Sequence, residues 1–126
     1  PHTLGDLVEA TGARLVGYEE EDTCCGGGIL AIDQDTALAI AKGKLDHVHA
    51  TDADAMVVVC PFCDIMYEIN QRSIERQFET TYRLPVLYYP QVLGLALGFG
   101  PDELGFRLNR VKAREMLKKL EAPQAH

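Results

Sequence analysis

The sequence has little positive charge and no long hydrophobic run, and each absence excludes a class of function. The 126 residues carry 12 Lys and Arg against 19 Asp and Glu, a formal net charge of −7. Because nucleic-acid binding depends on clustered basic side chains, this balance argues against a nucleic-acid surface. The apolar stretch at residues 93–100 is glycine-rich and far shorter than the roughly 20 residues that span a bilayer. We therefore expect no direct membrane span.

The sequence also lacks a recognisable signal peptide, an internal repeat and a low-complexity tract. It begins at Pro1 rather than Met, and we expect it to be a piece of a longer polypeptide. Hydrophobic residues make up 47% and charged residues 25%, which is typical of a globular protein. The length fits a single domain over residues 1–126.

Helix-like and strand-like segments alternate along the chain, and this order predicts an α/β fold with a small, mostly parallel sheet flanked by helices. The continuous apolar run at residues 55–59 is typical of a buried parallel strand. An apolar stripe through Ile32, Leu38, Ala41, Leu45 and Val48 predicts a helix over residues 33–49. Two further strands are expected at 14–18 and 85–89, and further helices at 4–12, 63–78, 91–97 and 109–120.

All four cysteines fall into two short motifs, the adjacent pair Cys24 and Cys25 and the C-x-x-C pair Cys60 and Cys63. Cys60 directly follows the apolar run at 55–59. In parallel sheets, function lies at the carboxyl ends of the strands. We therefore expect the four sulfurs to converge at that edge as one thiolate site for a metal centre. Tyr88 and Tyr89 are expected near the same edge, where they could line a cleft or simply pack in the core.

The spacing of the cysteines bears on the kind of centre. A C-x-x-C turn directs two sulfurs to one atom, and the N–H groups of a helix start stabilise thiolate charge. Adjacent cysteines do not easily ligate one tetrahedral ion together, so Cys24 and Cys25 favour a polynuclear iron–sulfur cluster that moves electrons. A structural zinc site with four thiolates, a Cys60–Cys63 thiol–disulfide switch and ordinary buried cysteines are the alternatives.

The two motifs together resemble a known family. Cys24-Cys25-Gly26 followed by Cys60-Pro61-Phe62-Cys63 is similar to the second half of a CCG motif, the cysteine-rich domain of the heterodisulfide reductase B subunit. The segments at 84–98 and 101–105 resemble the sequence that follows the C-x-x-C in that family, so the resemblance covers about residues 4–108. The 34 residues between Cys25 and Cys60 are slightly fewer than in the family. The family's first cysteine has no counterpart in the 23 residues before Cys24. Either it lies upstream of Pro1 or the motif is incomplete.

The resemblance implies a non-cubane [4Fe–4S] cluster, with Cys24, Cys25, Cys60 and Cys63 as its ligands and as the catalytic site. It implies an oxidoreductase module that takes electrons from partner subunits carrying iron–sulfur clusters or flavin and passes them to a disulfide. Two CCG domains usually share one polypeptide in this family, so a second CCG domain is an expected partner and the fragment alone is expected to be inactive. A cytoplasmic location, at most peripheral to a membrane complex, is expected.

The resemblance leaves two other functions open. Relatives of this domain belong to succinate, glycolate and lactate oxidoreductase complexes, where it would be a cluster-binding subunit. A non-catalytic assembly domain with zinc on the four thiolates is the other alternative.

Overall fold

Helices surround a two-stranded parallel sheet in the computed structural model, which describes residues 2–121. Strands β1 (Met56–Val58) and β2 (Val86–Tyr88) pair with Met56 opposite Val86 and Val58 opposite Tyr88. The α/β fold class is therefore confirmed. The helices are α1 (Thr3–Ala10), α2 (Gln34–His49), α3 (Pro61–Asp64), α4 (Gln71–Gln77), α5 (Tyr89–Ala96) and α6 (Arg114–Glu121). A π-helical turn (Ile65–Ile69) joins α3 to α4, and 3-10 turns lie at Gly27–Ile29 and Phe106–Leu108.

Helix α2 supplies much of the core. Its predicted stripe is confirmed at Leu38, Ala41, Leu45 and Val48, which are all buried. Ile32 does not belong to that stripe, because it lies before the helix and is 85% exposed. The helix starts after Asp33, whose carboxylate accepts the Thr36 N–H at 3.1 Å as an N-cap. The stripe packs with Met66, Tyr67, Ile74, Val86 and Cys25 in one cluster of buried side chains.

The strand predicted at residues 14–18 is wrong. This segment has no regular secondary structure, and the sheet of residues 2–121 contains β1 and β2 alone. Leu15 is half exposed, and the Arg14 guanidinium pairs at the surface with Asp52 at 2.9 Å. A strand forms only where a partner offers a ladder, and the β1 and β2 edges do not receive this segment.

The helix predicted over 109–120 begins five residues late, at Arg114. The chain bends at residues 110–111 and does not continue as a helix, because polar groups elsewhere in the chain hold this segment. The Asn109 amide donates to the Val86 carbonyl at 3.0 Å, and the Glu68 carboxylate accepts the N–H groups of Arg110 at 2.5 Å and Val111 at 2.8 Å. These contacts close the C-terminal part of the chain over the core. No helix within residues 2–121 combines the length and apolarity that a bilayer crossing requires.

We expect Glu68→Ala to destabilise the domain by about 2 kcal/mol, because Glu68 is only 4% exposed and its loss leaves the buried Val111 N–H without an acceptor. Glu68→Gln keeps one acceptor oxygen and should lose less. Urea unfolding measures both, with the exposed Glu103→Ala as the control. If Glu68→Ala unfolds at the control's midpoint, the carboxylate is not what holds this segment.

Candidate functional site

The first cysteine motif forms a tight turn against helix α2. Gly26 adopts a positive φ of 81°, and a Cβ there would lie 3.2 Å from the Ala37 carbonyl oxygen. Glycine is therefore required both for the backbone conformation and for the close approach to the helix. The turn buries Cys25, which is 4% exposed, and leaves Cys24 exposed. The Gly27 N–H donates to the Cys25 sulfur at 3.3 Å, so the backbone of the turn holds this thiol in place.

The second motif occupies the start of helix α3, and Cys60 lies two residues after strand β1. Cys60 is the N-cap residue and Pro61 begins the helix, where its missing N–H costs nothing. The backbone N–H groups of Cys63 and Phe62 lie near the Cys60 sulfur and lower the pKa of that thiol. A helix start thus stabilises the Cys60 thiolate, as the C-x-x-C pattern predicts.

The two motifs meet at Gly27. A Cβ on Gly27 would lie 2.9 Å from the Phe62 Cβ and 3.3 Å from the Cys25 sulfur, so the turn packs directly against the C-x-x-C. Burial, the charge of Cys25 and the side-chain interactions with Cys25 and Cys60 raise the pKa of Cys63 to about 12. Cys25, Cys60 and Cys63 are therefore neighbours, although 34 residues separate the motifs.

The structure supports part of the predicted arrangement. No three His, Cys, Asp or Glu side chains among residues 2–121 are placed so as to hold a metal ion. Cys24 lies at the surface, whereas the adjacent Cys25 is buried. No strand precedes Cys24 within the described residues, so the position of all four sulfurs at the carboxyl edge of the sheet stays a prediction. The assignment of Cys24, Cys25, Cys60 and Cys63 as metal ligands and as catalytic residues also stays a prediction.

Tyrosines surround the thiols. Burial and the charges of Asp64, Cys60 and Cys63 raise the pKa of Tyr88, which places it beside the site as expected. The Tyr89 hydroxyl points elsewhere and donates to the Leu7 carbonyl at 3.2 Å.

Two further tyrosines were not predicted from the sequence. Burial and the charges of Glu21, Cys63 and Asp22 raise the pKa of Tyr18 to about 12. Burial and the charges of Cys25 and Cys63 also raise the pKa of Tyr67. The one signal for Tyr67 in the sequence is its position four residues after Cys63, which puts both on one face of a helix.

The chain has relatives among oxidoreductase subunits. It is 42% identical over 122 residues to the B subunit of the ferredoxin:CoB-CoM heterodisulfide reductase of Methanosarcina mazei, a match that covers 95% of this chain and 41% of that protein. It is 29% identical over 116 residues to the 8-methylmenaquinol:fumarate reductase membrane anchor subunit of Wolinella succinogenes, over 92% of this chain and 41% of that one. The chain thus spans less than half the length of these relatives.

One relative with a shorter match is named as an iron–sulfur protein. An uncharacterized iron-sulfur protein of Methanococcus maripaludis is 42% identical over 53 residues, or 40% of this chain and 11% of that protein. The family model described as "CCG: Cysteine-rich domain" matches residues 1–68, more than half of the chain and all four cysteines. The Cys-Cys turn and the C-x-x-C helix start, which pack against each other, both lie within the matched residues. This chain belongs to the CCG cysteine-rich domain family.

Proposed function

We propose that this domain holds an iron–sulfur cluster on Cys24, Cys25, Cys60 and Cys63 and serves as an electron-transfer module of a heterodisulfide reductase-like oxidoreductase. One observation carries the proposal. The Cys25 turn packs directly on the C-x-x-C turn at Gly27, so two motifs far apart in sequence lie against each other. Ordinary core cysteines do not require such a meeting of two glycine- and proline-flanked turns.

The residues present fit such a cluster in three respects. The donor set consists of thiols, which are the ligands that iron–sulfur clusters take from proteins. Gly27 has no side chain at the point of contact, where a Cβ would intrude on Cys25 and Phe62. A buried hydroxyl, that of Tyr67, has no hydrogen-bond partner within residues 2–121 although it lies among the thiols. A bound group rich in sulfur would offer that hydroxyl an acceptor.

The four cysteines have different environments, which suit different roles. The backbone N–H groups of a helix start lower the pKa of Cys60, which lowers the cost of placing negative charge there. Cys25 is buried and Cys63 is partly buried, which strengthens the electrostatic interactions at the site. Cys24 is exposed and remains open to a partner or a substrate. When bound, the cluster supplies one-electron redox chemistry.

The finer points of the proposal extend the family resemblance. The cluster is of the non-cubane [4Fe–4S] type. The electrons come from partner subunits that carry iron–sulfur clusters or flavin, and they go to a disulfide. The domain works beside a second CCG domain in a cytoplasmic subunit, peripheral to a membrane complex where one is present. The names of the relatives, which include B and D subunits of heterodisulfide reductases, support this set of partners.

Anaerobic reconstitution tests the proposal. The protein is incubated with ferrous iron and sulfide under strictly anaerobic conditions and desalted, and then its iron, sulfide and zinc contents are measured. We expect brown protein with broad visible absorption and about four iron atoms and as many sulfides per chain. A parallel sample receives zinc alone.

The two samples separate the candidate functions. A sample given iron and sulfide that stays colourless and retains neither, beside a zinc sample with about one tightly bound zinc per chain, would favour the structural assembly domain. Protein that retains no metal and forms a reversible Cys60–Cys63 disulfide would favour the thiol–disulfide switch. Either result contradicts the electron-transfer proposal.

A further inference from the structure

Tyr67 lies in the hydrophobic core, in the same cluster of buried side chains as one of the four cysteines. It is 1% exposed and belongs to the same cluster of buried side chains as Cys25, with Cys63 and Tyr18 packed against that cluster. It sits in the π-helical turn (Ile65–Ile69) that begins two residues after Cys63. The Asn70 N–H bonds the Ile65 carbonyl at 2.9 Å, five residues back, which is the wide spacing of this turn. Such turns occur often at functional sites.

The Tyr67 hydroxyl is buried without a hydrogen-bond partner in residues 2–121, and it is the one such side-chain group there. Its neighbours in the core are well paired. The Gln71 amide donates to the carbonyls of Tyr67 and Leu84 at 2.9 Å each and accepts the Leu84 N–H at 2.9 Å. The Tyr82 hydroxyl donates to Asp46 at 2.5 Å. The fold thus satisfies its other buried polar side chains in this range, and an orphaned hydroxyl calls for an explanation.

The surroundings of this hydroxyl indicate what it faces. After burial, the charges that raise its pKa are those of Cys25, Cys63, Tyr18 and Cys24, in that order. Tyr67 shares its buried cluster with Cys25, and Cys63 packs against that cluster. The unpaired hydroxyl therefore lies in the part of the core that contacts the thiols, and it has no acceptor there within residues 2–121. A phenol is a good donor and keeps its proton at neutral pH, so what it lacks is an acceptor at the thiol site.

We propose that the Tyr67 O–H donates a hydrogen bond to a sulfur of the cluster that the domain holds and thereby raises the cluster's reduction potential. The inference rests on the proposed function, because it needs a sulfur-rich group between the thiols. Reduction adds negative charge to the sulfurs, so a hydrogen bond to them is stronger in the reduced state. The donor therefore favours reduction.

The test compares Tyr67→Phe with the native protein in the cluster-loaded form. Phenylalanine keeps the ring that fills the core and removes only the hydroxyl. We expect iron and sulfide contents to stay at the native level while the equilibrium constant for reduction falls about tenfold, which is 59 mV to lower potential for one electron. Redox titration followed by electron paramagnetic resonance measures the shift. Resonance Raman spectra in heavy water give a second readout, because exchange of the donated proton adds to the shift of the Fe–S stretching bands in the native protein. Backbone donors such as the Gly27 N–H, which bonds the Cys25 sulfur, exchange in both proteins, so the variant should show a smaller shift.

Tyr82→Phe is the matched control. It removes a buried hydroxyl from the same core cluster, but that hydroxyl bonds Asp46, and no cysteine is among the groups that shift its pKa. It should leave the potential and the deuterium shift at native values.

The outcomes separate the inference from the proposed function. Native protein that takes up no iron and sulfide would overturn both. Native protein that loads normally, with a Tyr67→Phe variant that matches it in potential and deuterium shift, would overturn the role of Tyr67 alone. A loaded variant with lower potential and a smaller deuterium shift than the native protein supports the hydrogen bond.

Discussion

Cys24→Ser should lower the iron and sulfide bound after anaerobic reconstitution by at least tenfold. Changing a group that merely supports a metal ligand typically costs about 10- to 100-fold in affinity, so loss of a direct thiolate ligand should cost no less. Cys24 is exposed, and serine is nearly the same size. The substitution should therefore leave the metal-free fold unchanged, and the thermal unfolding midpoint without metal should match the native value. Loss of cluster would then report ligation and not misfolding.

A neighbouring substitution provides the control for Cys24. Thr23 is exposed, and its hydroxyl donates only to the Glu20 carbonyl at 2.7 Å within the same loop. Thr23→Ala should load iron and sulfide at the native level. Should Cys24→Ser load equally well, Cys24 is not a ligand and the centre rests on Cys25, Cys60 and Cys63. The same variant bears on the dithiol alternative, because a Cys60–Cys63 switch would not respond to it.

The parts of the fold that follow from local chemistry were predictable from the sequence. The predicted stripe of helix α2 is confirmed at Leu38, Ala41, Leu45 and Val48, and Asp33 caps the start of the helix. Strands β1 and β2 are apolar runs that hydrogen-bond to each other, and they pair in parallel as expected. Both cysteine motifs lie in turns or at a helix start, and this placement likewise follows from the flanking glycines and proline.

The parts that depend on distant contacts were not predictable. Residues 14–18 have strand-like composition, but whether they form a strand depends on an open sheet edge, which no local pattern encodes. The late start of α6 depends on Glu68, which lies 42 residues before Arg110. Tyr67 could be placed on the face of Cys63 by spacing, yet its missing hydrogen-bond partner becomes visible only when the surrounding core is known. In this domain the two cysteine motifs are a local signal, whereas the environment of their thiols depends on tertiary contacts.

Gly27→Ala should disrupt the site at the point where the two cysteine motifs meet. The new methyl group would lie 2.9 Å from the Phe62 Cβ and 3.3 Å from the Cys25 sulfur. A Cβ contact of 2.9 Å cannot be relieved by a side-chain rotation, so either the Cys25 turn or the start of α3 must move. Overpacking of this kind costs about 1–3 kcal/mol. Because the movement separates Cys25 from Cys63, we also expect most of the iron and sulfide to be lost.

The adjacent glycine, Gly28, provides a matched control for this prediction. A Cβ on Gly28 meets nothing within 4 Å, and neither glycine adopts a positive φ. Gly28→Ala therefore carries the same loss of backbone freedom without the contact, and it should be neutral or stabilising by up to about 1 kcal/mol. Urea unfolding of the metal-free proteins and iron analysis of the loaded ones measure both effects. If the two variants behave alike, the Cys25 turn does not pack tightly on the C-x-x-C helix start. That result would contradict the convergence of the thiols on which the proposed cluster depends.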